Sequence, residues 1–140
     1  MLINTTPYFG VIASMCPSES SKLISVYWRT CVATSVEIRL DGMRNTDLIS
    51  FLYAHLYGLF SDKPMILALR PKSQGGMRVI TPEDQWKFWN SLPDPIVMKI
   101  ANPSSNVFVD WAVDLARWVI DRNLTPPFSW KKIGISDHRL

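Results

Sequence analysis

Residues 70–89 read RPKSQGGMRVITPEDQWKFW, and the interpretation of this stretch determines the predicted fold. A phosphate-binding loop of the Walker type needs its second glycine to be followed by Lys, by Ser or Thr, and directly by a helix. Here Gly76 is followed by MRVI, which has the composition of a strand. We therefore predict that SQGG is the turn of a hairpin between strands at 65–70 and 77–80.

A helix is predicted to follow this hairpin. Thr81 is a suitable N-cap, Pro82 suits the first helical position, and Asp84 stands where a capping-box acid lies. The helix is expected to span 82–91. The apolar run IVMKIA that comes next is typical of a last strand at 96–101.

Upstream of residue 65, two segments alternate between apolar and polar residues. LISVYWRT at 23–30 and TSVEIRL at 34–40 have this strand periodicity, and their spacing predicts an antiparallel hairpin. The apolar segment 46–60 predicts a central helix with two apolar faces. Residues 106–121 predict an amphipathic helix with a narrow polar stripe, and the tail is expected to add an edge strand or to stay flexible.

The predicted fold class is α+β. It comprises a mixed sheet of four to five strands, a packed central helix, a short second helix and an added C-terminal amphipathic helix. The predicted organisation is a single domain with four parts: an N-terminal arm at 1–22, a core at 23–101, the C-terminal helix at 102–123 and a basic tail at 124–140.

This order of elements resembles the β-grasp of ubiquitin-like domains. The segment MRVITPEDQWKFW, followed by IVMKI, is most similar to the PB1 branch of that superfamily. The resemblance implies a protein–protein interaction module with a basic face, in which Arg29 matches the cation of the first strand and Arg39 lies beside it. The acidic cluster of other PB1 domains is absent, because RPKSQGG carries no carboxylate.

Candidate catalytic groups do not form a recognisable set in the sequence. His55 lies in an apolar helix and is interpreted as structural, and His138 is close to the chain end, where order is often poor. Asp110 and Asp114, one helical turn apart, are interpreted as part of a solvated stripe. Neither cysteine has metal-ligand spacing, and free thiols are preferred to a bridge. We predict no enzyme activity, no cofactor and no metal.

The predicted contact surface is aromatic. The two apolar helices either cover each other across the sheet or form an interface with a partner or a second copy. The candidate interface residues are Tyr53, Tyr57, Phe60, Trp111 and Trp118. The preferred function is therefore a non-enzymatic interaction or self-assembly module.

The net charge of +3 permits an acidic partner without requiring one. The candidate basic partner face comprises Arg29, Arg39, Arg70, Lys72 and Arg78. An alternative function is a viral structural protein that also uses Lys131 and Lys132 to bind RNA or an anionic membrane. Strong nucleic-acid binders make roughly 6–10 phosphate contacts, more than a scattered set of cations readily supplies. The start of the chain is a poor signal peptide, which predicts a soluble intracellular protein.

Overall fold

The computed structural model describes residues 12–16, 33–56 and 64–138. Five strands form one sheet, and all four pairs of neighbouring strands are parallel. The strands are β1 Ile12–Met15, β2 Ser35–Arg39, β3 Met65–Ala68, β4 Val107–Ala112 and β5 Ile133–Ser136. The helices are α1 Asn45–Leu56, α2 Pro82–Asn90, α3 Asp94–Ala101 and α4 Val113–Asp121, with short 3-10 turns at Lys72–Gln74 and Trp130–Lys132.

The order of the strands across the sheet is their order along the chain. In doubly wound sheets the order reverses at a switch point, whereas in β/α barrels each strand lies beside the next one in sequence. The fold is therefore α/β with barrel-like strand order. The predicted α+β class, with its mixed β-grasp sheet, is wrong because no antiparallel pair occurs among these five strands.

The central strands explain the parallel arrangement. β3 is buried along its whole length, as expected for a strand covered on both faces, and it reads as a continuous apolar run. Side chains alternate between the faces of a sheet, and residues in register share a face. Val36 and Ile38 of β2 are fully buried in the core, where the helices pack. Arg39 lies on the opposite face, in register with Asp110 of β4 through Ala68.

The predicted helix at 82–91 is confirmed as α2. Its start is capped as expected, since the backbone N–H of Asp84 donates to the Thr81 hydroxyl at 3.1 Å and Pro82 occupies the first turn. α2 packs against α4, and the Trp86 and Trp118 rings meet at 6.0 Å. α1 packs against α3. Among the side chains of α1 that the structure describes, Leu48, Phe51, Leu52 and Leu56 are buried.

Two predicted strands next to α2 are wrong. Residues 77–80 form no strand, because β3 already pairs with β2 and β4, and Arg78 makes only a single bridge to Pro71. Residues 96–101 belong to α3. Pro95 near the helix start and the burial of Ile96 and Ile100, one helical turn apart, favour a helix over the β-propensity of the run.

The predicted helix at 106–121 is wrong in its first half. Val107, Val109 and Trp111 alternate along β4, and the helix begins only at Val113. Of the two alternatives for the tail, an edge strand or a flexible segment, the structure has the strand, β5 at 133–136. The sheet thus takes β1 from the predicted arm and β5 from the predicted tail.

The predicted strand at 23–30 lies outside the described residues. Its predicted hairpin with 34–40 is wrong, since β2 has β1 and β3 as its two neighbours. Of the helices in the described ranges, none is long and apolar enough to cross a membrane.

Candidate functional site

Charged and polar side chains converge at the carboxyl ends of the five strands. In parallel α/β sheets this is the edge where ligands bind, because the loops that follow the strands meet there. We call this group the strand-edge site, and its members are Cys16, Glu37, Arg39, Asp41, Arg70, Gln74, Asp110, Ser136 and His138.

Asp110, Ser136 and His138 form a triangle of hydrogen bonds. The Ser136 hydroxyl donates to Asp110 Oδ1 at 2.6 Å, and His138 Nε2 lies 2.6 Å from Ser136 Oγ and 3.1 Å from Asp110 Oδ2. The Asp110 side chain is largely buried, while that of His138 is partly exposed. A buried carboxylate therefore holds an imidazole that solvent or a ligand can reach.

The triangle determines the tautomer of His138. Because the one Ser136 proton goes to Asp110, Nε2 faces two acceptor oxygens and must carry a proton itself. In the neutral ring the lone pair is then on Nδ1. Ser136 is consequently not activated by an accepting histidine, so the arrangement does not work as the serine nucleophile of a hydrolase triad.

Glu37 and Arg70 form an ion pair in the same site. Arg70 Nη2 donates to both carboxylate oxygens of Glu37, at 3.1 and 3.0 Å, and the Ser14 hydroxyl donates to Glu37 at 2.7 Å. Both bonds use Nη2, so Glu37 does not hold Nη1 of the guanidinium. The pair connects β1, β2 and the end of β3.

Arg39 and Asp41 form a second ion pair. Arg39 Nη2 donates to Asp41 Oδ2 at 2.9 Å and to the Gly75 carbonyl at 3.2 Å. The Met77 backbone N–H also donates to Asp41 Oδ2, at 2.9 Å. Burial lowers the pKa of Arg39, but the hydrogen bond and charge of Asp41, together with the influence of Cys16 and Glu37, outweigh burial, and the net result is a raised pKa. Arg39 is thus a permanent cation.

The KSQGG segment is a compact turn, although not the predicted hairpin. Gly75 adopts a left-handed φ of 85°, and a Cβ on Gly76 would overlap the carbonyl group of Arg70. The turn places the fully buried Gln74 at the site, where its Oε1 accepts the backbone N–H of His138 at 2.8 Å. It therefore connects the end of β3 with the end of β5.

Several polar atoms at the site have no hydrogen-bond partner within the described part of the chain. The buried atoms concerned are Gln74 Nε2, Arg39 Nε, Arg70 Nε and Asp41 Oδ1. Buried polar atoms in native proteins are nearly always paired with protein, water or ligand. Three of these four atoms are N–H donors, so the site offers groups that water or a ligand can pair.

The Cys16 thiol belongs to this site and directly follows β1. Burial raises its pKa, and the negative charge of Asp41 adds to the effect, against the opposing influence of Arg39 and of a hydrogen bond with the Gly42 backbone. A thiol with a raised pKa is a poor nucleophile. Among the described residues, no three His, Cys, Asp or Glu side chains form a group that could hold a metal ion.

The structure distributes the predicted interface residues over different environments. Trp111 is 1% exposed, with its ring edge-on to Trp130 at 5.7 Å. Trp118 is half-buried against Trp86, and Tyr53 of α1 is partly exposed. Tyr57 and Phe60 lie outside the described residues.

The predicted basic face is divided in a similar way. Arg39 and Arg70 belong to the strand-edge site, and Arg78 donates from Nε to the Asp41 carbonyl at 3.1 Å. Lys72 is exposed on the turn, and Arg29 is outside the described residues. Of the two tail lysines, Lys131 is exposed, whereas Lys132 is buried. The predicted acidic, nucleic-acid or membrane partner stays a prediction.

Sequence reasoning missed the central residues of the site. Asp110 was assigned to a solvated helix stripe, and His138 was set aside because it is near the chain end. The signal that could have found them is a polar residue at or just beyond the end of each apolar run, as in VEIRLD, MILALR, VFVD and IGISDH. That signal has a meaning only once the strands are known to be parallel.

Comparison with known proteins agrees with this fold. No family model matches the chain, and no curated protein matches it. Among solved structures, a 3-dehydroquinate dehydratase from Enterococcus faecalis matches with a TM-score of 0.60 and 14% identity. The match covers 81% of this chain and 46% of the dehydratase, so the chain spans about half of that protein's length. At this identity the similarity shows the fold alone, and it overturns the resemblance to ubiquitin-like and PB1 domains.

Proposed function

We propose that the strand-edge site binds a small hydroxylated carboxylate and dehydrates it by proton transfer through His138. This proposal replaces the interaction-module hypothesis and its viral alternative, because Arg39 and Arg70 of the predicted basic face are paired with carboxylates within the site and the matching solved structure is an enzyme. The observation that supports it most strongly is the Asp110–Ser136–His138 triangle. The name of the matching Enterococcus faecalis protein supports the same class of reaction.

His138 has the features of a general acid–base group. Its Nε2–H is held by Asp110 and Ser136, which leaves Nδ1 to accept a proton from a substrate. The carboxylate of Asp110, 3.1 Å from the ring, then stabilises the imidazolium that forms. Proton transfer by a side chain positioned in this way contributes about 10²–10⁴-fold to a reaction rate.

Arg70 and Arg39 are the groups that would hold the substrate carboxylate. A guanidinium binds a carboxylate through parallel N–H donors, and Arg70 uses only Nη2 for Glu37. Gln74 Nε2 adds a buried amide donor without a described partner. Glu37 and Asp41 supply acceptors for hydroxyl groups of the same ligand.

A dehydration requires only proton movements from this set of residues. His138 would remove a proton from a carbon next to a carbonyl group, and the electron pair of that C–H bond would form the C=C bond. The hydroxyl on the adjacent carbon would leave with its bonding pair and take the proton back from His138 as water. The step is redox neutral, and one histidine serves as base and then as acid.

The substrate class follows from the same chemistry. The candidate is a cyclic or linear hydroxy-keto carboxylate, and 3-dehydroquinate, named for the matching dehydratase, is the first compound to test.

The test is incubation of the full chain with 3-dehydroquinate, with dehydration followed by the ultraviolet absorbance of the new conjugated double bond. Binding is measured in parallel by calorimetry. We expect His138→Asn to lower turnover about 100-fold or more while binding persists within about threefold. Lys72→Ala, an exposed change on the neighbouring turn, is the matched control and should leave both unchanged.

Two results would contradict the proposal. Binding without any turnover in the wild-type chain would remove the dehydratase activity and leave a binding site. Absence of both binding and turnover would remove the substrate class as well.

A further inference from the structure

A cavity lies apart from the strand-edge site, and none of its lining residues belongs to that site. It has a volume of about 570 Å³ and lies between the start of α1, the segment after the Gly75–Gly76 turn, and α2. Small-molecule sites in proteins commonly enclose about 300–1,000 Å³. Its apolar lining consists of Leu48, Ile49, Leu69, Val79, Ile80 and Phe88. We call it the α1–α2 groove.

Four polar side chains complete the lining: Arg78, Asp84, Lys87 and Ser91. Arg78 is fixed at one edge by its bond from Nε to the Asp41 carbonyl. Within the described residues it makes no ion pair with a carboxylate. Within the described ranges, Lys87 pairs with Glu83 at a long distance of 3.6 Å, and both side chains are mostly exposed. The lining itself therefore has two cations and one carboxylate, and Glu83 lies outside it.

The entrance of the α1–α2 groove is apolar as well. Val79 is 83% exposed although it lines the groove, and it also lines a smaller adjoining cavity of about 290 Å³. Met77, two residues earlier, is also strongly exposed. Isolated exposed apolar residues are common, but here they border an apolar cavity. An apolar body bound in the groove would cover Val79.

From this combination we propose that the α1–α2 groove binds an amphipathic monoanion, with its apolar body on the lining and its one carboxylate between Arg78 and Lys87. The charge balance favours an anion over a neutral or cationic ligand. The carboxylate of Asp84 weakens the preference for an anion. Removal of its charge should therefore strengthen anion binding. The proposal is independent of the strand-edge chemistry.

The test uses 1-naphthoate as the probe and 1-naphthalenemethanol as its neutral match, both titrated by calorimetry and fluorescence against the full chain. We expect naphthoate to bind about tenfold more tightly than the alcohol. Lys87→Gln should weaken naphthoate binding about two- to fivefold, the size of a partly exposed charge pair. Asp84→Asn should strengthen it by a similar factor.

Val79→Asp places a negative charge at the entrance of the α1–α2 groove. Because the side chain of residue 79 is largely exposed, the variant should still fold, and a thermal melt verifies this. We expect it to weaken naphthoate binding about tenfold or more. Ile120→Asp, an exposed apolar-to-acid change on α4, is the matched control and should have no effect. His138→Asn should also leave naphthoate binding unchanged, which separates this proposal from the proposed function.

Three results would overturn the proposal. These are equal affinity for the acid and the alcohol, loss of affinity in Ile120→Asp to the same extent as in Val79→Asp, and absence of probe binding. A dimer in light scattering that Val79→Asp dissociates, without any probe binding, would assign the groove to a second copy of the chain instead.

Discussion

Cationic side chains are buried at both ends of the parallel strands, but their hydrogen bonding differs. We call the amino-terminal ends of the strands the amino edge of the sheet and their carboxyl-terminal ends the carboxyl edge. At the amino edge, Lys132 is 6% exposed and its ammonium donates to the Ser105 carbonyl at 2.7 Å, the Ser105 hydroxyl at 2.9 Å and the Val107 carbonyl at 3.2 Å. Three donors meet three acceptors. At the carboxyl edge, Arg39, Arg70 and Gln74 each retain a buried donor without a described partner.

We use this difference to distinguish the structural polar cluster around Lys132 from the proposed binding site. A buried group whose hydrogen bonds are complete stabilises the fold and has nothing left for a ligand. A buried group that is half satisfied carries an energetic cost which a ligand can relieve. In β/α barrels the amino face is likewise associated with stability and the carboxyl face with function.

The largest expected effect comes from the turn at 72–76, which connects the end of β3 with the end of β5. Gly76→Ala should lower the free energy of unfolding by about 3 kcal/mol, because its Cβ would overlap the backbone of Arg70 and Pro71, which cannot move aside as a side chain could. Gly75→Ala is the control. It is strained by its φ of 85° but meets only the His138 carbonyl at 3.8 Å, so it should cost about 1 kcal/mol. Urea unfolding of both variants measures this, and equal costs would contradict the steric explanation.

The second effect tests the amino edge. Lys132→Met keeps the length of the side chain but leaves the Ser105 and Val107 carbonyls without their donor. We expect the free energy of unfolding to fall by about 2 kcal/mol. Ligand affinity at the strand-edge site should not change, since Lys132 contacts none of its residues in the described structure. A loss of affinity without a loss of stability would reverse the roles given to the two edges.

The same lysine gives a pH dependence. Burial lowers the pKa of Lys132 below its ordinary value of 10.5. Below the folded-state pKa both states hold the proton, and the cost of burying the charge is present in full. Between that pKa and 10.5 the folded state releases its proton while the unfolded chain keeps it, so the free energy of unfolding rises with pH. The difference between wild type and Lys132→Met, measured by urea unfolding at alkaline pH, should therefore change across this window.

The sequence predicted well where a local signal was sufficient. The start of α2 at Thr81–Pro82 can be recognised from a few consecutive residues. The apolar alternation of β2 is visible within a stretch of seven residues. Strand direction is different, because it depends on which distant segment pairs with which. The run MILALR is equally compatible with a hairpin and with a parallel sheet until β4 is known to lie beside it.

The same dependence on pairing between distant segments explains why the sequence did not predict the strand-edge site. Asp41, the partner of Arg39, is two residues away in sequence, whereas Glu37, the partner of Arg70, is 33 residues away on the neighbouring strand and is recognised only from the fold. Asp110 and His138 are 28 residues apart and meet only because β4 and β5 are parallel neighbours. Gln74 has no sequence signature at all. Its role depends on the turn that buries it beside the end of β5.

The smallest expected stability effect is also the sharpest test of the comparison between edges. Gln74→Met removes the amide that accepts from the His138 backbone, but it also removes the unpaired Nε2 donor, so the two changes partly offset each other. We expect the free energy of unfolding to change by less than about 1 kcal/mol, whereas affinity for 3-dehydroquinate falls about tenfold because the ligand loses a buried donor. Calorimetry and urea unfolding on the same preparation measure both quantities. If Gln74→Met instead behaves like Lys132→Met, with stability lost and affinity kept, then the unpaired donors at the carboxyl edge are structural and the two edges of the sheet do not differ in kind.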